Sequence, residues 1–150
     1  MGLKALSRLI AGAPDYESGT WTPTIAGATV AGVQTYAVQN GVYIKLGKLV
    51  VAWATITMTA KDGATSGNIL IAGLPYMSGT ASGFPSALNN VSNVNLDAGY
   101  SQFIIRVRPN GKTDAIMGMA GDNVGSTNVT DVDIGNDTTV SAVLIYQTDL

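Results

Sequence analysis

The sequence predicts an all-β protein, a jelly-roll-like antiparallel β-sandwich with a short N-terminal amphipathic helix. Three observations carry that reading. Apolar and β-branched residues alternate with polar ones in short runs, Gly, Asn, Asp and Pro recur between those runs, and a helical period appears in one place only, near the N-terminus. At 150 residues the chain suits one domain with a core of its own.

Residues 1–13 hold the predicted helix, in which Leu3, Leu6 and Ile10 share one face. So short a helix is unstable alone, so it must dock on its own domain, on sister chains or on a partner protein. Residues 14–18 read as a linker, and the sandwich is expected to fill residues 19–150, beginning with an irregular arm that carries short strands at 21–25 and 28–33.

The stretch from Tyr43 to Thr59 organises the rest of the domain. It reads as a hairpin that reverses at Gly47-Lys48, where glycine supplies a positive φ without steric cost. On its second strand Val50, Ala52, Ala54, Ile56 and Met58 share one face, while Leu49, Val51 and Trp53 occupy the other before Thr55, Thr57 and Thr59 take over. Half of that strand therefore looks buried on both sides. Either a loop of the same chain covers Leu49, Val51 and Trp53, the commoner situation for large apolar side chains, or another subunit does. Trp21 and Trp53 read as packing residues.

Further strands are expected at 68–71, ending at Gly73-Leu74-Pro75-Tyr76 because proline cannot donate to a ladder, and at 87–91. Residues 100–108 and 113–120 form a second hairpin around Asn110-Gly111, and 140–147 close the domain. Residues 121–128 and 131–137 read as loops.

Composition narrows the chemistry. The absence of cysteine and histidine excludes disulfides, thiol nucleophiles, Cys/His zinc sites and any triad built on imidazole. Charged residues make up only 12% of the chain and the formal net charge is -2, unlike the basic footprint that phosphate backbones attract, so no nucleic acid partner is expected. With a positive mean hydropathy, such a domain suits a surface partly covered by other copies or by a larger assembly. No apolar run reaches the ~20 residues of a membrane-spanning helix, and no membrane insertion is expected. Lys4 and Ala11-Gly12-Ala13 have the flavour of a secretory signal, but Ser7-Arg8 interrupts the apolar run and secretion is not expected.

Asp131, Asp133 and Asp137 alternate in the manner of calcium ligands. The EF-hand spacing fails, because Gly135 stands where an oxygen ligand belongs, Asn136 where glycine is required, and no Glu closes the loop. A turn is expected there, with no metal and no cofactor. Asp97, Asp114 and Asp122 are carboxylates of the kind glycoside hydrolysis needs, yet nothing in the spacing fixes their separation, and no catalytic residue is assigned. Tyr76, Phe84 and Tyr100 lie in or beside loops, with Asn89, Asn90, Asn93 and Asn95 nearby. Aromatic faces with amide donors suit a glycan cleft; the alternative is that the aromatics plug the end of the sandwich and the asparagines form turns. Arg106 and Arg108 share a strand face that suits anionic glycans, or else a solvated or subunit-bridging surface.

Gly19-Thr20-Trp21-Thr22-Pro23-Thr24, then Tyr43-Ile44-Lys45-Leu46-Gly47-Lys48-Leu49-Val50, then Gly73-Leu74-Pro75-Tyr76 form an ordered trio. With these the sequence resembles the C-terminal modules of tailed-bacteriophage tail fibres and tail spikes, and the aliphatic last strand with Tyr146 fits too. Residues 78–135 carry no such match. The resemblance implies a homotrimeric knob on a virion that contacts a bacterial surface glycan or protein. Leu49, Val51 and Trp53 would then lie at the subunit interface, and Leu3, Leu6 and Ile10 would anchor the chain to other virion proteins. Such modules commonly follow long shafts, whereas here about eighteen residues precede Gly19. A short fibre or tip protein is expected, with a capsid decoration (cement) or head-fibre protein as the alternative. Depolymerising tail spikes build their sites on a large β-helix, which this sequence lacks, so no enzymatic activity is expected.

Overall fold

The computed structural model describes residues 15–80, 85–86 and 89–150. The expected N-terminal helix, with Leu3, Leu6 and Ile10, and the expected contact residue Phe84 lie outside the described residues.

The strands in chain order are β1 (Tyr16–Trp21), β2 (Thr24–Gly27), β3 (Thr35–Leu46), β4 (Leu49–Ala60), β5 (Ile69–Ala72), β6 (Pro85–Ser86), β7 (Asn89–Val94), β8 (Gln102–Val107), β9 (Asp114–Gly121), β10 (Val124–Asn128) and β11 (Ile134–Gln147). They form two antiparallel sheets. Sheet A runs β1-β3-β4-β11-β7, and sheet B runs β2-β5-β9-β8-β6 with β10 beside β9.

The β3-β4 hairpin forms where the alternation and the Gly47 turn require it. Gly47 has a φ of 57°, and its N–H donates to the Asp15 carbonyl at 2.8 Å. In β4 the inward residues Val50, Ala52, Ala54, Ile56 and Met58 are 0–3% exposed, and they meet Val140, Ala142, Leu144 and Tyr146 of β11 and the inner face of sheet B in one core. Small residues at Ala52, Ala54 and Ala142 leave room for the larger side chains opposite. Trp21 lies flat over Gly41, where an added Cβ would stand 2.5 Å from its indole nitrogen. That indole N–H donates to the carbonyls of Trp53 at 3.1 Å and Val42 at 3.3 Å. On the edge strand β2, the Tyr36 hydroxyl accepts the Ile25 N–H at 2.9 Å and donates to the Ile25 carbonyl at 3.3 Å. A side chain thus fills the place of a neighbouring strand and blunts that edge.

The structure departs from the sequence reading in several places. The expected strand at 21–25 is split at residues 22–23 between the end of β1 and the start of β2, and β3 begins at Thr35, well before Tyr43. Strand β1 starts at Tyr16, inside the expected linker. Residues 28–33 are not a strand: Gly27 N–H turns back to the Ala31 carbonyl, and pairing reduces to a single bridge between Val30 and Ser66. Residues 124–128, expected as a loop, form β10 on β9, because the short β5 pairs only with residues 114–116 of β9 and leaves the rest of that edge open. The last strand begins at Ile134, its early part disguised by the polar residues Asn136, Asp137 and Thr139. The connectivity is a sandwich with hairpins inside each sheet, β3-β4 in one and β8-β9-β10 in the other, so its strand order does not establish the jelly-roll winding.

Both ends of the described chain lie at the same pole of the sandwich. Asp15 is bonded to the β3-β4 turn, and the Thr148 N–H donates to Lys48 of that turn at 2.9 Å.

Gly41→Ala is expected to lower stability by about 1–3 kcal/mol, since the added methyl must displace the Trp21 ring. Gly63→Ala, with no atom within 4 Å of its Cβ position, is the control expected to leave urea denaturation unchanged.

Candidate functional site

The outward face of sheet A is assembled by register. Leu46 pairs with Leu49, Ile44 with Val51 and Val42 with Trp53 across β3-β4, while Val51 pairs with Ile145 and Trp53 with Val143 across β4-β11. Directly opposed residues share a face, so these side chains make one apolar field. It is open to solvent within the chain: Val42 is 50% exposed, Leu46 46%, Leu49 41% and Trp53 38%. Among the described residues no loop closes over Leu49 or Trp53, and of the two readings of this face the covering loop is the one the described residues do not supply.

One row further along, the face changes character. Asn40, Thr55, Ser141 and Asn90 stand opposite one another on four adjacent strands. At the boundary Trp53, Thr55, Asn89, Asn90, Ser141 and Val143 line a shallow open groove of about 370 Å³. Trp53, read from the sequence as a packing residue, thus keeps part of its ring exposed within the chain. Val42, Ile44, Leu46, Val143 and Ile145 complete the field, and pairing of the period-2 patterns of β3 and β11 with β4 was the signal that could have added them.

The ordered sequence trio proves to be one cluster. Tyr43 sets its ring edge-on against Tyr76, with centroids 5.6 Å apart and planes at 80°, and its hydroxyl donates to the Glu17 carboxylate at 2.7 Å. Gly19 stands opposite Tyr43, where a Cβ would approach that ring to 2.8 Å. The buried Lys45 places its ammonium 5.4 Å from the Tyr76 ring centroid. Tyr146, fully buried on the last strand, donates its hydroxyl to the Tyr76 carbonyl at 3.0 Å and accepts the Tyr76 N–H at 3.3 Å. Burial pushes the Tyr146 phenol up from 10.0 to about 12. Tyr76 is raised by burial first and then by Glu17 and Tyr43, and Tyr43 is raised chiefly by Glu17.

Among the described residues, the expected contact residues Tyr76, Asn89, Asn90 and Tyr100 do not form one cleft. Tyr76 belongs to this cluster at the pole where the chain enters, whereas Tyr100 lies in the loop beyond β7, at the opposite pole, packed against the core. Asn89 and Asn90 are adjacent on β7 but face opposite ways: Asn89 donates to the Phe103 carbonyl at 3.2 Å, and Asn90 is exposed beside Trp53. Arg108 is engaged by Asp114 through two hydrogen bonds, Nη2 to Oδ2 at 2.6 Å and Nε to Oδ1. That pairing takes one member from the expected arginine pair and one from the expected carboxylates. Asp131 accepts the Gly67 N–H at 2.8 Å, and Asp133 accepts the Thr130 N–H and hydroxyl at 2.7 and 2.8 Å, so both carboxylates hold the chain's own turns.

Tyr146→Phe leaves the Tyr76 N–H and carbonyl without their partner and is expected to cost about 1–3 kcal/mol by chemical denaturation. Because the native phenol ionises at higher pH than the unfolded one, Tyr146 contributes stability that is fully present below pH 10 and is lost as pH rises through about 12. An alkaline melting series should show this loss in the wild type and a shallower one in Tyr146→Phe.

No family model matches the chain, and no curated protein matches it. Among solved structures, the crystal structure of the Dettilon tailspike protein superimposes with a TM-score of 0.68 at 14% sequence identity, over 88% of this chain and 24% of that one. The likeness lies in the fold, and the chain spans about a quarter of that protein's length. The chain is thus an antiparallel β-sandwich similar in fold to part of a phage tailspike protein.

Proposed function

We propose that this chain is a non-enzymatic, tail-associated structural protein of a phage virion, working as a homotrimeric knob that contacts the host cell surface. The observation that carries the reading is the apolar outer face of sheet A. Leu49, Val51 and Trp53, extended by Val42, Ile44 and Leu46, form a contiguous field on a chain already equipped with a full core. Burial of such a field stabilises an assembly by ~25 cal/mol per Å² of apolar surface, and a closed threefold ring would bring the field of each sister copy toward its neighbours. The fold shared with part of a tailspike supports the virion setting. Residues 1–13, through Leu3, Leu6 and Ile10, would dock the knob to other virion proteins. A bacterial surface glycan or protein would meet the surface left free, with Tyr100 at the far pole and Asn90 at the polar margin of the field as expected contact residues. A capsid decoration protein would use the same trimer, and labelled protein seen on virion heads rather than tails would select that reading.

Sedimentation equilibrium of the full chain at micromolar concentration is expected to return three times the 15.4 kDa chain mass. Leu49→Asp, a substitution on an already exposed site, is expected to return the single-chain mass with the β-sheet circular dichroism retained. A wild-type chain that sediments as a monomer contradicts the trimer.

A further inference from the structure

Among the described residues, the exposed large apolar side chains fall in three places. Val42, Ile44, Leu46, Leu49 and Trp53 belong to the outer face of sheet A. Met77 and Leu150 sit at the pole where the chain enters and leaves. The remaining five, Val30, Val33, Leu96, Val124 and Val132, all lie at the opposite pole, on loops that join β2 to β3, β7 to β8 and β10 to β11 and at the start of β10. Val33 at 84% and Val132 at 76% are the most exposed of all.

These tips are held out rather than left loose. The Val33 N–H donates to Asp62 at 2.9 Å, Asp62 N–H donates to Gln34 Oε1 at 2.8 Å, and Gln34 Nε2 donates to Thr65 at 2.7 Å. Beside Val132, Asp131 is tied to Gly67 through its carboxylate and to Lys61 Nζ through its carbonyl. Asp133 caps Thr130, and its carbonyl receives the Asn95 N–H at 2.8 Å. Apolar side chains fixed in water at the end of a rigid frame are pre-organised for contact.

The charge around them is one-sided. Among the described residues, Asp62, Asp97, Asp122, Asp131, Asp133 and Asp137 lie at or near this pole, against Lys61 alone, and the Lys61 ammonium is already committed to the Asp131 carbonyl at 2.7 Å. The other described cations, Lys45, Lys48, Arg106, Arg108 and Lys112, lie toward the opposite pole. Both ends of the described chain, bonded there through Asp15 and Thr148, also lie at that opposite pole.

We infer that the pole carrying Val33 and Val132 is the partner-binding tip, and that its partner is a protein surface with lysines or arginines around an apolar centre. This rests on the host-contact reading of the protein's function and names the partner's chemistry. The aspartates complement such cations and repel phosphate- or carboxylate-bearing glycans.

The test uses the full chain with methyl-labelled valine and three probes: a peptide alternating valine and lysine, its valine-glutamate counterpart, and a sulfated heparin fragment. The lysine peptide is expected to shift the Val33 and Val132 methyls, to bind about tenfold more tightly than the glutamate peptide, and to lose most of its affinity in a Val33→Ser/Val132→Ser double variant that sediments and melts like the wild type. Equal affinity for both peptides, shifts confined to the Val42 and Val143 methyls, or heparin bound at this pole would each overturn it. Failure of the protein to bind host cells, with the peptide preference intact, would instead count against the host-contact reading alone.

Discussion

The rest of the structure depends on the confinement of β4 between β3 and β11. A central strand has no edge, so all its side chains must be accommodated on one of two faces. Its inner residues are essentially inaccessible to water and form the seam on which sheet B closes. The outer residues Leu49, Val51 and Trp53 are then committed to the opposite side, and the register with β3 and β11 surrounds them with Val42, Ile44, Leu46, Val143 and Ile145. One constraint therefore produces both the core and the unpartnered field. Along the same strand the outer face passes from leucine, valine and tryptophan to threonine, which sets the boundary between the apolar field and the polar part of the face.

Tyrosines of sheet A fasten backbone beyond their own sheet, Tyr36 on strand β2 of sheet B and Tyr146 on the loop that follows β5. Tyr36 and Tyr146 each use one hydroxyl to donate to a carbonyl and accept an N–H of the same residue, Ile25 and Tyr76 respectively. Such a hydroxyl satisfies two buried backbone groups that sheet pairing leaves over. This explains physically why Gly19, Tyr43, Tyr76 and Tyr146 occur together: the glycine admits the Tyr43 ring, that ring buttresses Tyr76, and the last strand fastens the Tyr76 backbone.

Much of the fold was legible because period-2 patterns and turn residues act locally. The β3-β4 hairpin, β5, the β8-β9 hairpin and the body of β11 follow from alternation and from Gly47, Asn110 and Gly111, all three at positive φ. What escaped depends on partners. Residues 124–128 become a strand because β5 is short, and residues 28–33 fail to become one because the chain folds back at Gly27. The two-sided character of β4 could be read from one strand alone. The separation of Tyr76 from Tyr100 could not, nor could the gathering of Val33, Leu96, Val124 and Val132 at one pole, since these depend on how distant loops are stacked by the topology.

If sister copies cover the field around Trp53, acrylamide should reach its indole and quench its fluorescence only when they separate. With Trp21→Phe leaving Trp53 as the sole reporter, the account predicts weak quenching at micromolar concentration that rises on dilution as the assembly separates and the 38% exposed indole of the single chain is revealed. Quenching that stays the same at every concentration, whether strong or weak, would contradict it, because the field would then be either bare or covered by its own chain.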